Sequence, residues 1–507
     1  MTNINADKYD EEEFEKLWGS AKADGEISIG TLFHHAKQNN PVSINNQQTK
    51  GAPDLRDIRN GRLYAEENRE RLLFIQETKT ALFFGKFGWE LAPPGTEVRA
   101  AKEIVEKMML EALQLFKNDP DDQHAKRLYK HVSQSSSLQR IQAMIEIARS
   151  EEGMTARLSQ FDSDPNLLGV KNGILDLKAR ELIDIKPKIL VSMRCNVIYD
   201  PLTRCSLFMQ FLTDIQPDPE IRRLLQQLSG LFLSGDSNLQ MLIFLYGHGA
   251  NGKTTFIELL AWLLCEYTKR IPTEMLMMQQ RNTQGPSPDI VALKGRRMVY
   301  CNEVEEGRHL AEGRVKELTG GDTLSGRVPY AKEDITFRPS HKLVMIGNHQ
   351  PEIHDMSHGM WRRMLLIPFE QTIAPDKRDD NLLEKLKAEG PGILNWMLSG
   401  YHDYLTYGLV IPKSIKSATN AYKSEQDVIG EWVGEHCMVD AVQSTDKHEL
   451  YKAYRNWSKS RGQFPLAQSR FTRKLADRGY RLDPGRRKVT CLVLNSEGVK
   501  ALRGFAD

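Results

Sequence analysis

Met241-Leu-Ile-Phe-Leu-Tyr246 runs directly into Gly247-His-Gly-Ala-Asn-Gly252-Lys253-Thr254, and the reading of this stretch decides the fold. Six consecutive apolar or aromatic residues are the pattern of a strand buried on both faces of a parallel sheet. Phe256, Ile257, Leu259, Leu260, Trp262, Leu263 and Leu264 follow as a strongly apolar helix. Strand, loop and helix together give G-x-x-x-x-G-K-T the setting in which it cradles phosphate. The glycines let backbone N–H groups curl toward phosphate oxygens, and the helix N-terminus adds its positive dipole end. Gly247, Gly249, Asn251, Gly252, Lys253, Thr254 and Thr255 form the candidate nucleotide set: Lys253 neutralises the β and γ oxygens, and Thr254 ligates Mg²⁺.

Composition narrows the setting. The chain has 507 residues, 69 basic against 67 acidic, a net of +2, and 40% hydrophobic content. Such a balance excludes both a polyanion coat and an acidic disordered chain, so nucleic-acid affinity has to be local. Met241–Tyr246, like every other apolar run in the chain, is far below the roughly 18 residues of a bilayer span, and Asp10-Glu-Glu-Glu13 is unlike a secretory leader. The expectation is a soluble, cytoplasmic protein without membrane contact. Six cysteines lie scattered with no C-x-x-C pair, against a zinc ribbon or a disulfide framework.

The patterning predicts four domains. Residues 1–54 hold a small helical module, with Phe14, Leu17 and Trp18 at helical spacing, and an Asn/Gln/Pro/Gly-rich linker. Residues 55–204 are mixed α/β: Ile104, Met108, Ala112 and Leu115 mark one helix, stopped by Asn118-Asp119-Pro120, and Ile141, Met144, Ile145 and Ala148 mark another. Asn172-Gly173 reads as a hairpin turn between Leu168–Val170 and Ile174–Leu177. Residues 205–412 carry the phosphate loop, and 413–507 a basic tail.

A nucleotide hydrolase needs a carboxylate beside the loop. Met298–Cys301 is a short apolar strand ending in Asn302-Glu303, and Glu303 is the first choice to hold the metal's water shell or take a proton from water, with Glu305 and Glu306 as alternatives. A third strand, Leu343–Ile346, ends at Gly347-Asn348, where an amide can orient the attacking water. Beyond it Trp361-Arg362-Arg363 offers an arginine able to reach a nucleotide on a neighbouring subunit. Between these strands a hairpin carries Arg327, Tyr330 and Lys332, preceded by Lys316; a basic, aromatic tip of this kind grips a nucleic-acid backbone.

At these residues the chain resembles the helicase portion of the phage and plasmid primase family, including satellite-phage and poxvirus primase-helicases, within superfamily 3. The resemblance spans about 10–440 and rests on Asn172-Gly173 with Asp176-Leu177, Gly249–Thr254, Glu303 with Glu305-Glu306-Gly307, Lys316 with Leu318-Thr-Gly-Gly-Asp322, Asn348 with Pro351, Trp361–Arg363 with Pro368-Phe369, and Ala418-Thr419, Tyr422 and Asp427. It implies an AAA+-like ATPase using ATP and Mg²⁺, assembled as a homo-oligomeric ring, usually a hexamer, and moving 3′ to 5′ on DNA. It further implies Lys253 and Thr254 as Walker A, Glu303 as Walker B, Asn348 as sensor 1, Arg363 or Arg362 as arginine finger, and Lys332 in the DNA hairpin. Many superfamily members carry a second carboxylate just before the Walker B glutamate, where this chain has Asn302. No paired carboxylates of a primase are evident in the first 160 residues, where Asp119-Pro-Asp121-Asp122 reads as a helix stop. A separate primase or polymerase is the expected partner.

Residues 447–488 hold thirteen Lys or Arg against Glu449, Asp477 and Asp483, a local net of +10. Two helical patterns and a hairpin there predict a winged helix, with Arg470, Arg473 and Lys474 entering a groove and Arg486, Arg487 and Lys488 tracking phosphates. The expected fold is therefore an α/β, AAA+-like P-loop core with a mixed N-terminal region and a C-terminal winged helix. The expected function is a replicative helicase of a phage or plasmid-like element, acting on single-stranded and forked DNA; the alternative is an origin-melting ATPase without processive unwinding.

Overall fold

The computed structural model of the chain describes residues 56–278, 287–302, 307–327, 329, 334–353, 355–462, 464–485 and 487–504. The expected N-terminal module, Glu303, Glu305, Glu306, Tyr330, Lys332 and Arg486 lie outside the described residues. Contacts divide the chain into two units, 56–161 with 185–192, and 162–184 with 193 onward. The positions expected as boundaries, 204 and 412, fall inside the second unit.

In the first unit α1 (Asp57–Asn68) leads to β1 (Leu72–Ile75), β2 (Ala81–Gly85) and β3 (Gly88–Leu91), then to α2 (Thr96–Asn118), α3 (Gln123–Ser135), α4 (Leu138–Arg149) and the short β4 (Thr155–Ala156). The sheet runs β3-β2-β1-β4. Ile104, Met108 and Ala112 are buried along α2, in one core with Ile141, Met144, Ile145 and Ala148 of α4. Asp122 caps α3 by accepting the His124 amide at 2.7 Å, and Asp119 accepts the Asp121 amide at 3.0 Å. These acids are thus occupied by turn and cap chemistry.

The second unit opens with a three-stranded antiparallel sheet, β5 (Leu167–Val170), β6 (Gly173–Asp176) and β7 (Glu181–Ile183). Val170 pairs with Gly173, so the turn is Lys171-Asn172, one residue earlier than the patterning places it. The Asn172 amide explains the shift: it donates to the Tyr199 carbonyl and accepts from the Tyr199 N–H, both at 2.9 Å. Next come α5 (Ser206–Ile215), α6 (Pro219–Leu231), β8 (Leu242–Tyr246), α7 (Lys253–Leu264), β9 (Thr268–Arg270), β10 (Met298–Asn302), α8 (Glu312–Thr319), β11 (Leu324–Gly326), β12 (Ile335–Phe337), β13 (Lys342–Gly347), α9 (His358–Trp361), β14 (Met364–Pro368) and α10 (Gly390–Tyr407).

The three apolar runs picked out in the sequence all enter one five-stranded parallel sheet of order β14-β8-β13-β10-β9. Alternation divides its side chains between two cores. Ile243, Leu245, Val344, Ile346, Leu365 and Ile367 pack with α5, α6, α7 and α10, while Leu242, Phe244, Leu343, Met345, Met364 and Leu366 pack with Val315, Leu318 and Trp361. Each such side chain contributes roughly 1.5–3 kcal/mol when fully buried. The chain is therefore a mixed α/β protein with a parallel sheet buried on both faces. Helices α6 and α10 cross in backbone contact: a β-carbon at Gly230 would overlap the Tyr401 amide, and one at Gly400 the Gln226 carbonyl.

A last region follows, α11 (Lys413–Glu425), α12 (Val428–His436), β15 (Cys437–Asp446), α13 (Lys447–Ser460), α14 (Gln468–Asp477), β16 (Lys488–Leu494) and α15 (Ser496–Arg503). Its core joins Trp432, Tyr454, Trp457, Phe471, Leu475 and Leu492, with the Tyr454 and Phe471 rings 4.7 Å apart. The hairpin expected at 480–494 is reduced to a single bridge, Leu482 with Val489, because β16 pairs mainly with β15, fifty residues upstream.

No helix among the described residues is long and apolar enough to cross a membrane. At the base of the large sheet, Arg297 donates to the Leu233 and Leu167 carbonyls and Lys342 to the Ser234 carbonyl, all from buried positions. Burial, with the Lys342 ammonium alongside, lowers neighbouring His341 to about 4. The unfolded chain takes up a proton there as pH falls below the ordinary 6.5, and the folded chain resists until about 4. Stability contributed by this site is therefore complete above pH 6.5 and lost on the way to pH 4, a loss on the order of 3 kcal/mol. Urea unfolding across that window will show a steeper acid loss for the wild type than for His341→Phe.

Candidate active site

β8, β13 and β10 end on one edge of the sheet, where Gly247, Asn348 and Asn302 stand side by side in strand order. The loop from β8 to α7 bends through positive φ at Gly247, Ala250 and Gly252. At Gly247 a β-carbon would overlap the Phe369 carbonyl oxygen, and at Gly252 the Ile215 side chain, so glycine is required at both. The chain leaving β14 splints this loop. Asn251 Nδ2 donates to the Phe369 carbonyl at 2.8 Å, and the Ile373 amide donates to the Ala250 carbonyl at 2.8 Å.

Lys253 is buried, and its ammonium donates to the Gly247 carbonyl (2.6 Å), Asn251 Oδ1 (2.9 Å), Asn348 Oδ1 (3.2 Å) and the His248 carbonyl (3.3 Å). Burial pulls it down to about 8. The loop lysine and the third-strand amide, picked out separately in the sequence, thus touch. Thr254 and Gly249 are exposed and Thr255 is half-buried. At the next strand tip Asn302 Oδ1 is buried with no partner among the described residues. Loop amides and an ammonium suit phosphate, while the Thr254 hydroxyl and Asn302 oxygen are hard donors of the kind Mg²⁺ takes. The residues present fit a magnesium nucleotide.

The two candidate arginines have different surroundings. Arg363 is buried, donating to the Gly359 carbonyl at 2.6 Å and Gln240 Oε1 at 2.8 Å. Arg362 is exposed and donates to the same Gln240 oxygen at 2.9 Å. Of the two, only Arg362 is exposed to solvent. Lys316 donates to Asp355, and burial raises that carboxyl less than the Lys316 and Ser357 hydrogen bonds lower it, holding it below the usual carboxylate range. Arg327 is exposed at the base of the β11–β12 hairpin, 3.9 Å from Asp334.

In the basic tail, Phe471 and Leu475 turn α14 inward, leaving Arg470, Arg473 and Lys474 on its other side. That side does not stand free for a groove. With Lys423, Asp427 and Arg478 it lines a cleft of about 750 Å³ whose opposite wall is Glu312 and Asp355–His358. Arg478 hydrogen-bonds Asp427, which also caps α12 through the Gly430 amide. Arg487 and Lys488 are exposed on the far side of Asp483, which accepts both their amides. Lys423 and Arg478 line this cleft, yet only Arg478 carried a sequence signal, through the basic run.

Residues 61–217 match a family model described as D5 N terminal like, and 245–363 match a family of unknown function. A putative helicase of Acanthamoeba polyphaga mimivirus is 29% identical over 67% of this chain and 38% of its own. The chain is thus similar, in these two regions, to proteins named putative helicase or primase of large DNA viruses. A putative primase of African swine fever virus is 24% identical over 59% of this chain and 34% of its own, and a putative helicase of Frog virus 3 is 27% identical over 53% and 29%. The chain thus spans roughly a third of the curated relatives it matches. Among solved structures, the apo C-terminal region of NrS-1 is 12% identical, covers 77% of each chain and has a TM-score of 0.45.

With Lys253 lowered, any phosphate held by its ammonium is expected to bind in a pH-dependent way. Below about 8 the ammonium is already charged. Above it, binding must recruit a proton, so affinity falls by up to about tenfold per pH unit. Titration with a fluorescent ATP analogue from neutral to alkaline pH reads this directly; a profile flat through pH 8 contradicts a phosphate role for Lys253.

Proposed function

We propose that this chain is an ATP-dependent DNA helicase of superfamily 3 type, built on an AAA+-like P-loop core with a C-terminal winged helix. The observation that carries the reading is the junction of Lys253 with Asn348 at the edge of the parallel sheet. It joins a phosphate-gripping cation to an amide able to orient water, a pairing that a passive DNA-binding protein has no use for. The family relationship adds replication as the setting.

In this reading Lys253 exchanges its loop carbonyls for β and γ oxygens, and loop amides complete the cradle. Mg²⁺, bound with ATP, neutralises developing phosphate charge. The Thr254 hydroxyl and the Glu303 carboxylate hold it, Glu303 also accepting a proton from water. Asn348 orients that water. Arg362 reaches the nucleotide of the next subunit in a homo-oligomeric ring, taken as a hexamer, while Arg363 anchors it from within. The hairpin with Arg327, Tyr330 and Lys332 grips the translocating single strand, moving 3′ to 5′. Arg470, Arg473, Lys474, Arg486, Arg487 and Lys488 hold duplex phosphates at a fork; insertion of α14 into a groove requires its cleft to open. A separate primase or polymerase supplies primers, in the cytoplasm of the host cell.

Displacement of a forked duplex with a free 3′ arm tests this. The wild type is expected to separate the strands with ATP, and Lys253→Ala to lose both displacement and hydrolysis, typically by two orders of magnitude or more (about 10²-fold). Hydrolysis without displacement by the wild type replaces the helicase with an origin-melting ATPase.

A further inference from the structure

Gln240, the residue next but one before β8, has a role that its position in the sequence does not advertise. Its Oε1 accepts from Arg362 Nη2 at 2.9 Å and Arg363 Nη2 at 2.8 Å, while its Nε2 donates to the Gly320 carbonyl at 2.7 Å. Three parts meet on one amide: the arginine pair between α9 and β14, the turn that leads from α8 into the β11–β12 hairpin, and the strand that delivers the phosphate loop. A carboxamide does this with one side chain, where a carboxylate would accept without donating and a cation would donate without accepting. Asp322 in the same turn adds its charge to Arg363. Gly321 between them sits at φ 77°, where a glycine lets the chain swing.

We propose that Gln240 is a positioning residue that couples the nucleotide state of the neighbouring subunit to the DNA hairpin. The inference rests on the function proposed above. Arg363 is buried and fixes the amide. Arg362 is exposed, and reaching for a phosphate across a subunit boundary draws its guanidinium away from Gln240 Oε1. The freed amide then shifts its grip on Gly320, so the pull arrives at the Gly320-Gly321-Asp322 turn and at the hairpin it starts.

The full-length wild type, Gln240→Glu and Gln240→Leu are compared for ATP hydrolysis with and without saturating single-stranded DNA, and for thermal unfolding. Glutamate keeps both guanidinium contacts and loses the donor to Gly320. Its hydrolysis without DNA is expected within about twofold of wild type, and its DNA stimulation to fall by about fivefold or more, the factor of one lost hydrogen bond. Leucine, losing both ends, is expected to lose the stimulation as well. An unchanged stimulation ratio in Gln240→Glu, equal scaling of both rates, or failure of both variants to fold gives Gln240 a merely structural part and overturns the proposal. A wild type that hydrolyses ATP indifferently to DNA overturns it together with the helicase reading, whereas a stimulated wild type matched by its variants overturns the coupling alone.

Discussion

The phosphate loop keeps its shape because another strand's exit lies across it. The Phe369 carbonyl occupies the space that any side chain at Gly247 would need, and the same oxygen accepts from Asn251. Asn251 in turn offers its oxygen to Lys253. Removing that splint would leave the loop with positive-φ residues and no reason to hold them, since strained backbone persists only where its surroundings over-determine it. The strand order follows from this contact: β14 must lie beside β8 for its exit to reach the loop, and β13 on the other side brings Asn348 within reach of Lys253. The arginine pair that precedes β14 is thereby tied to the glycine-rich loop through a strand of only five residues.

The opposite end of the sheet is held by charge buried against carbonyls. Arg297 and Lys342 lie inside the protein and donate to the Leu233 and Ser234 carbonyls of the turn that follows α6, Arg297 also reaching the Leu167 carbonyl of β5. Burying a cation is costly unless its donors are met, and the peptide oxygens of that turn meet them. One end of the sheet is thus closed by buried cations on carbonyls, while the other carries the glycine-rich loop with the exposed Thr254.

Much of this was legible in local pattern. Met241–Tyr246, Met298–Cys301 and Leu343–Ile346 are strands because unbroken apolar runs fit a sheet covered on both faces, and the loop glycines announce their φ. Pattern along the chain does not name a partner across it, however. The pairing of β15 with β16 leaves no local trace, and neither does the Asn172 clamp on Tyr199 that moves the turn by one residue. Arg362 and Arg363 are identical letters; only their packing separates the buried anchor from the exposed one. Similarly, the basic face of α14 is plain in composition, but its wall of Glu312 and Asp355 belongs to residues more than a hundred positions away. Gln240 is an ordinary polar residue until three structural parts arrive around it.

The contact between Gly230 and Gly400 has a mechanical meaning. Most packed helices are separated by a layer of side chains, and small sliding motions are absorbed by rotamers in that layer. Where they cross at Gly230 and Gly400, α6 and α10 touch backbone to backbone, so at that point there is no side-chain layer to yield. The two helices form one stiff strut, anchored through the turn after α6 to the cations beneath the sheet. Its other end lies where α10 hands the chain on toward α11. At the crossing itself one helix has no room to slide past the other, and any shift would have to carry both backbones together.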